Sequence, residues 1–152
     1  MYEFVDRPVT SLDHGGRFLL WTLRNWVRAL SEGRCAAAAI GPAFAKWNMM
    51  AAFPPFHRML TILNVHGLET ISVAPLECRR VSEHEAIFLA LISNLEDRRP
   101  AVLRDTVAML VEEDHIGSVL AAVSSLGGAM LEAGIFPRKP EAVPGAIWRP
   151  ED

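Results

Sequence analysis

Apolar positions along this 152-residue chain recur mostly at intervals of three and four, which predicts helices. The clearest run lies in 78–96. Ser82 followed by Glu85 has capping-box spacing, in which the hydroxyl accepts from the residue 85 N–H and the carboxylate from the residue 82 N–H. Behind it, Ile87, Phe88, Leu91, Ile92 and Leu95 mark one apolar face. A helix over 17–31 carries Leu19, Leu20, Leu23, Trp26, Val27 and Leu30, is preceded by a cap within 11–13, and stops at Gly33. The Ala-rich stretch 35–50 is interrupted by Pro42 and reads as two short helices. After Pro54-Pro55, Phe56, Met59, Leu60, Leu63 and Val65 form a stripe ending at Gly67. Pro100 opens a helix with Val102, Leu103, Val107, Leu110 and Val111 on one face. Residues 116–131 carry no charge, and a helix without a charged face is expected to be buried, as core or as a subunit interface.

Two segments break this pattern. Residues 68–77 contain Thr70, Ile71 and Val73 with alternating polarity, and read as a short strand or an extended connector. Residues 135–152 contain Pro137, Pro140, Pro144 and Pro150, and read as an extended tail able to dock Ile147 and Trp148. The expected fold is all-α: a compact bundle of five to seven helices in one domain, 1–134, with a short extended segment near 68–77.

Composition changes this picture in two ways. Apolar residues reach 51%, the high end for a soluble domain, so a large core or a covered surface is expected. The net charge of −3 is unevenly spread. Residues 1–66 carry seven Lys/Arg against four Asp/Glu, and 67–152 carry eight against fourteen. The small residues Gly117, Ala121, Ser124 and Gly128 permit close helix approach, so a homodimer through 116–131 is the expected partner arrangement, with a further protein partner as an alternative. Cys35 and Cys78 match no disulfide framework, zinc motif or redox motif. Without a leader-like N-terminus or an uncharged run of spanning length, a cytoplasmic, non-membrane setting is expected.

Candidate chemistry gathers at Cys78 and His84, with Glu113 and His115 as distant partners, because thiolate, imidazole and carboxylate are the usual transition-metal ligands. Glu85 is consumed by the cap, and His84 in the first turn is expected to face solvent. Cys78 lies beside Arg79 and Arg80, but nothing identifies His84 as the base a nucleophilic cysteine needs. Arg17, Arg24 and Arg28 share a helix face with Trp21; a solvated face with one partly covered Trp is the stronger reading, and the functional one is anion binding, with nucleic acid disfavoured in a chain that is acidic overall. Trp47, Met49, Met50 and Met59 are candidates to line an apolar pocket between helices, although Met and Trp at helical spacing are more often plain core. Phosphate-loop, nucleophile-elbow and HExxH motifs are absent. No metal, cofactor or catalytic residue is expected.

Ile71-Ser-Val-Ala-Pro75 and Cys78-Arg-x-Val-Ser-x-x-Glu85 resemble small alphaproteobacterial proteins of the sphingomonad kind, of unknown function, over about residues 60–110. The resemblance implies a bacterial, cytoplasmic setting and no catalytic residue. The sequence thus points to a non-enzymatic, self-associating helical module. The alternative is a small-molecule or metal-binding protein, or an enzyme, with a site near Cys78, His84 and His115.

Overall fold

Asp13 opens the first helix, α1 (His14–Ser31), by accepting the Gly16 N–H at 2.8 Å. This cap starts the helix three residues earlier than the pattern suggests and carries Gly15 and Gly16 into its first turn. Leu19, Leu20, Leu23 and Trp26 are buried, whereas Leu30 is exposed. Gly33 stops the helix with φ +71°, a left-handed conformation that lets Arg34 N–H return to the Ala29 carbonyl at 2.8 Å.

The computed structural model describes residues 3–97 and 99–139. Beyond α1 they form α2 (Ala36–Lys46), α3 (Phe53–His66), α4 (Glu83–Ser93), α5 (Pro100–Ala108) and α6 (Ile116–Glu132), with short 3-10 turns ahead of α1, α3, α5 and α6. This is an all-α fold, and the described residues contain no strand. None of the described helices is long and apolar enough to cross a membrane.

Residues 36–46 form one helix rather than two. Pro42 lies inside α2, where it removes the bond to the Ala38 carbonyl. Both residues are exposed, so water can satisfy the freed carbonyl and the helix continues. Phe44, on the opposite face, is fully buried and meets Phe18 edge-on at 5.0 Å, Phe53 at 5.6 Å and Phe56 at 5.4 Å between ring centroids. Phe56 in turn meets Phe88 at 6.0 Å. This aromatic chain joins α1, α2, α3 and α4.

α1 packs chiefly on α2, and α3 on α6, while α4 touches both α1 and α6. α4 is the most deeply buried helix along its length: every residue from Phe88 to Ser93 is buried. The uncharged run 116–131 contributes one face to the core. α6 buries Val119, Ala122, Val123, Leu126 and Met130, but Gly117, Ala121, Ser124, Ser125 and Gly128 face outward. Its outer face, made of these small side chains, is uncharged and exposed in the single chain. Leu131 is likewise exposed, as are Val65 and Val102, which spacing placed on apolar stripes.

Residues 68–77 form an irregular connector without strand pairing. Gly67 enters it in extended conformation (φ −67°, ψ 143°), bridged to Val111, rather than as a left-handed helix stop. A side chain there would strike the Leu63 carbonyl. At the far end of the connector, Arg79–Val81 pair with the N-terminal segment: Asp6 N–H donates to the Val81 carbonyl, Val81 N–H to Arg7, and Val9 N–H to Arg79, at 2.8–3.0 Å. In the tail, Phe136 and Pro137 are buried, and Arg138 reaches Glu96 at 2.9 Å. Pro140, Pro144, Ile147, Trp148 and Pro150 lie outside the described residues.

Candidate functional site: a groove between α1 and α2

α1 and α2 diverge around an open groove of about 540 Å³, within the range of small-molecule sites. Trp21 of α1 and Trp47 at the end of α2 form its walls and are 46% and 44% exposed, a large apolar surface to leave in water. Trp47 is held in place by His14, whose ring meets it edge-on at 4.4 Å, and by Lys46, whose ammonium lies 5.7 Å from the Trp47 ring centroid. Arg17 and Lys46 bring positive charge to the same lining. Val9 and Leu76 close the groove from the N-terminal turn and the connector. The lining includes no Asp or Glu. It also includes no Ser, Thr or Cys, so His14 has neither a hydroxyl nor a thiol to activate.

Leu76 belongs to an irregular segment, so something must hold it. Arg24 and Glu85 do so, buried at 3% and 0% side-chain exposure. Arg24 Nε donates to Glu85 Oε2 at 2.7 Å and Nη2 to Oε1 at 3.0 Å, a two-pronged pair. The guanidinium also donates to the carbonyls of Cys78 at 2.8 Å and Arg80 at 2.9 Å. Glu85 additionally accepts the Ala74 N–H at 3.0 Å and the Ser82 N–H at 2.8 Å. The pair thus fastens the connector at 74, 78, 80 and 82 to α1 and α4.

Burial by itself would raise the Glu85 carboxyl. The Arg24 hydrogen bonds, followed by those from Ser82 and Ala74, outweigh it and hold the group below the usual carboxylate range. The hydrogen bonds that Arg24 donates to Glu85 raise its own pKa, against its burial.

The capping box is half used. Glu85 completes its return bond, while Ser82 Oγ stands in the capping position over the residue 85 N–H without reaching hydrogen-bond geometry, and has no partner among the described residues. Glu85 is therefore more than a cap, which spacing alone did not reveal.

The sequence-predicted residues separate. Arg24 lines the groove with its charge committed to Glu85; Arg28 pairs with Glu32 at 2.9 Å on the surface; Arg17 lines the groove beside Trp21. Cys78 is half-buried, with Sγ 3.5 Å from the Arg80 carbonyl. His84 does not face open solvent: Nδ1 accepts the Ser72 N–H at 2.9 Å, and Nε2 lies 3.6 Å from Glu69. His115 stacks on His66. Cys78, His84 and His115 thus have different partners, and neither Cys78 nor His115 joins His84 in the pockets it lines. Trp47 lines the groove as an apolar pocket residue should, but Met49 and Met59 are core and Met50 is exposed. His14 and Lys46 were missed; the only sequence signal was the adjacency of Lys46 to Trp47.

No protein-family model, curated protein or solved structure matches the chain.

Proposed function

We propose that this protein is a non-enzymatic binding module whose α1–α2 groove takes a small molecule with a planar apolar body and an anionic group. The observation that carries the reading is a concave lining with two exposed indoles, three cationic side chains, of which only Arg24 is committed to Glu85, and no carboxylate. The indoles offer stacking surface, and Arg17 and Lys46 offer charge at the edge of a partly desolvated site. Lack of a hydroxyl, thiol or carboxylate beside His14 favours binding over group transfer.

Calorimetry with 1-anilinonaphthalene-8-sulfonate, an aromatic sulfonate, tests this. One site with Kd of about 100 μM or tighter is expected, weakening about tenfold in Trp47→Ala and weakening with added salt through loss of the ionic contribution. Equal binding to wild type and Trp47→Ala would reject the groove as the site.

A second reading concerns assembly. The outward face of α6 combines Gly117, Ala121, Ser124 and Gly128 with the exposed Leu131, and carries no charge between 117 and 131. That face suits close approach of a second copy. Light scattering at about 100 μM protein is expected to give twice the chain mass. A chain mass at that concentration would exclude the reading.

A further inference from the structure

The sharp junction between α3 and the segment leading into α6 places three potential ligands together. His66 is the last residue of α3. Two main-chain bonds set it beside Glu112: Leu68 N–H donates to the Leu110 carbonyl at 2.9 Å, and Glu112 N–H to the His66 carbonyl at 3.2 Å. His115 follows on the 3-10 turn Glu113–His115, its N–H bonded to the Glu112 carbonyl at 2.9 Å. Glu112 and His115 thereby form a Glu-x-x-His pair on one side of a turn, a spacing that metal sites in helical bundles use.

The geometry points to a divalent transition-metal site formed by His66, Glu112 and His115. One ligand atom from each lies within 4.8 Å of the others. Glu112 Oε2 is 3.7 Å from His66 Nδ1, and the two imidazoles stack with centroids 3.7 Å apart and planes at 16°. Ligands at bond lengths of about 2.0–2.2 Å around a tetrahedral ion stand about 3.4 Å apart, so the set must contract and the rings must turn out of their stack. All three side chains retain solvent exposure, which leaves room for that rotation while the main-chain bonds hold the backbone.

Two imidazoles with one carboxylate favour Zn²⁺ and its neighbours over Ca²⁺ or Mg²⁺, which take oxygen ligands. Glu112 has no Lys or Arg partner among the described residues, so its charge is available to the ion. Three protein ligands leave at least one position for water. None of the three residues lines the α1–α2 groove, and the site does not depend on it.

The test uses the full chain in a Cys35→Ser/Cys78→Ser background, which removes thiol binding. Co²⁺ supplies a visible absorption that reports coordination, and Zn²⁺ is measured in competition with a chromophoric chelator. One equivalent with Kd below about 100 μM is expected. Glu112→Gln and His115→Ala should each weaken binding by about 100-fold or more, while His84→Asn leaves it unchanged. Zn²⁺ at 100-fold excess over Kd should also raise the thermal midpoint by about 5 °C or more. A Kd above that limit, or equal affinity in Glu112→Gln, overturns the site. Glu112→Gln alters one exposed side chain, so it remains informative if His115→Ala does not fold.

Discussion

Glu85→Ala is expected to destabilise the protein by about 3–5 kcal/mol, because it leaves the Arg24 guanidinium buried without its counter-charge. At about 2–4 °C per kcal/mol for a chain of this size, the thermal midpoint should fall by roughly 6–20 °C. The N–H groups of Ala74 and Ser82 lose their acceptor in the same step, so the connector loosens along with the ion pair. Arg24→Ala should cost a similar amount, and the double variant little more than either single one, since all three remove the same fastening. Thermal denaturation of the four proteins checks this. A double variant whose loss equals the sum of the single losses would mean that the two residues act independently.

The same pair sets an acid limit. Glu85 has a lower pKa folded than unfolded, so its contribution is fully present above the unfolded carboxylate value of about 4.3. It is lost as pH falls from there through the folded value. Glu85→Gln should therefore be less stable than wild type at neutral pH, with the gap closing under acid. A gap independent of pH between neutrality and the acid transition would show that the carboxylate charge contributes nothing.

Phe44→Ala is expected to cost about 3–5 kcal/mol, the range for deleting a large core aromatic. Phe44 is 0% exposed and contacts rings from α1 and α3 as well as Phe53 at the α3 start. Its loss removes both buried area and edge-to-face contacts worth about 0.5–1.5 kcal/mol each. α2 has few other anchors: only Ala36, Ile40 and Phe44 are buried along it. The variant should thus weaken binding of the aromatic sulfonate in the groove beyond what the stability change requires, as α2 shifts against α1. Phe44→Leu, which keeps much of the volume, should recover most of both losses. Urea denaturation paired with ligand titration separates these effects. A Phe44→Ala protein of wild-type stability would contradict the packing described above.

Much of the helical plan was legible because it rests on local chemistry. Asp13 as a cap, Gly33 as a left-handed stop, the Ser82–Glu85 spacing and Pro100 at a helix start all act within one turn, where sequence distance and spatial distance agree. What escaped depends on contacts between distant segments. Arg24 and Glu85 are 61 residues apart, and charged side chains ordinarily face solvent. One signal was present: Arg24 sits between Leu20, Leu23 and Val27 on the apolar arc of α1, a poor place for an unpaired cation. Which face of α6 is exposed was also hidden, since an uncharged run reads the same whether its small residues face a neighbour or water. His66 and Glu112 come together through main-chain bonds across a junction that hydrophobic spacing does not encode. Pro42 misled for the opposite reason, because its usual breaking effect is softened where the freed carbonyl faces outward.

Binding in the α1–α2 groove is tested most directly by an NMR titration with 1-anilinonaphthalene-8-sulfonate that follows the indole N–H resonances. Trp21 and Trp47 line the groove, whereas Trp26 is buried and donates its N–H to His57 Nδ1 at 3.0 Å. The resonances of Trp21 and Trp47 should move together along one saturable curve while that of Trp26 stays in place. Movement of Trp26 without the other two, or no saturable shift at Trp21 and Trp47, would contradict the groove as the binding site.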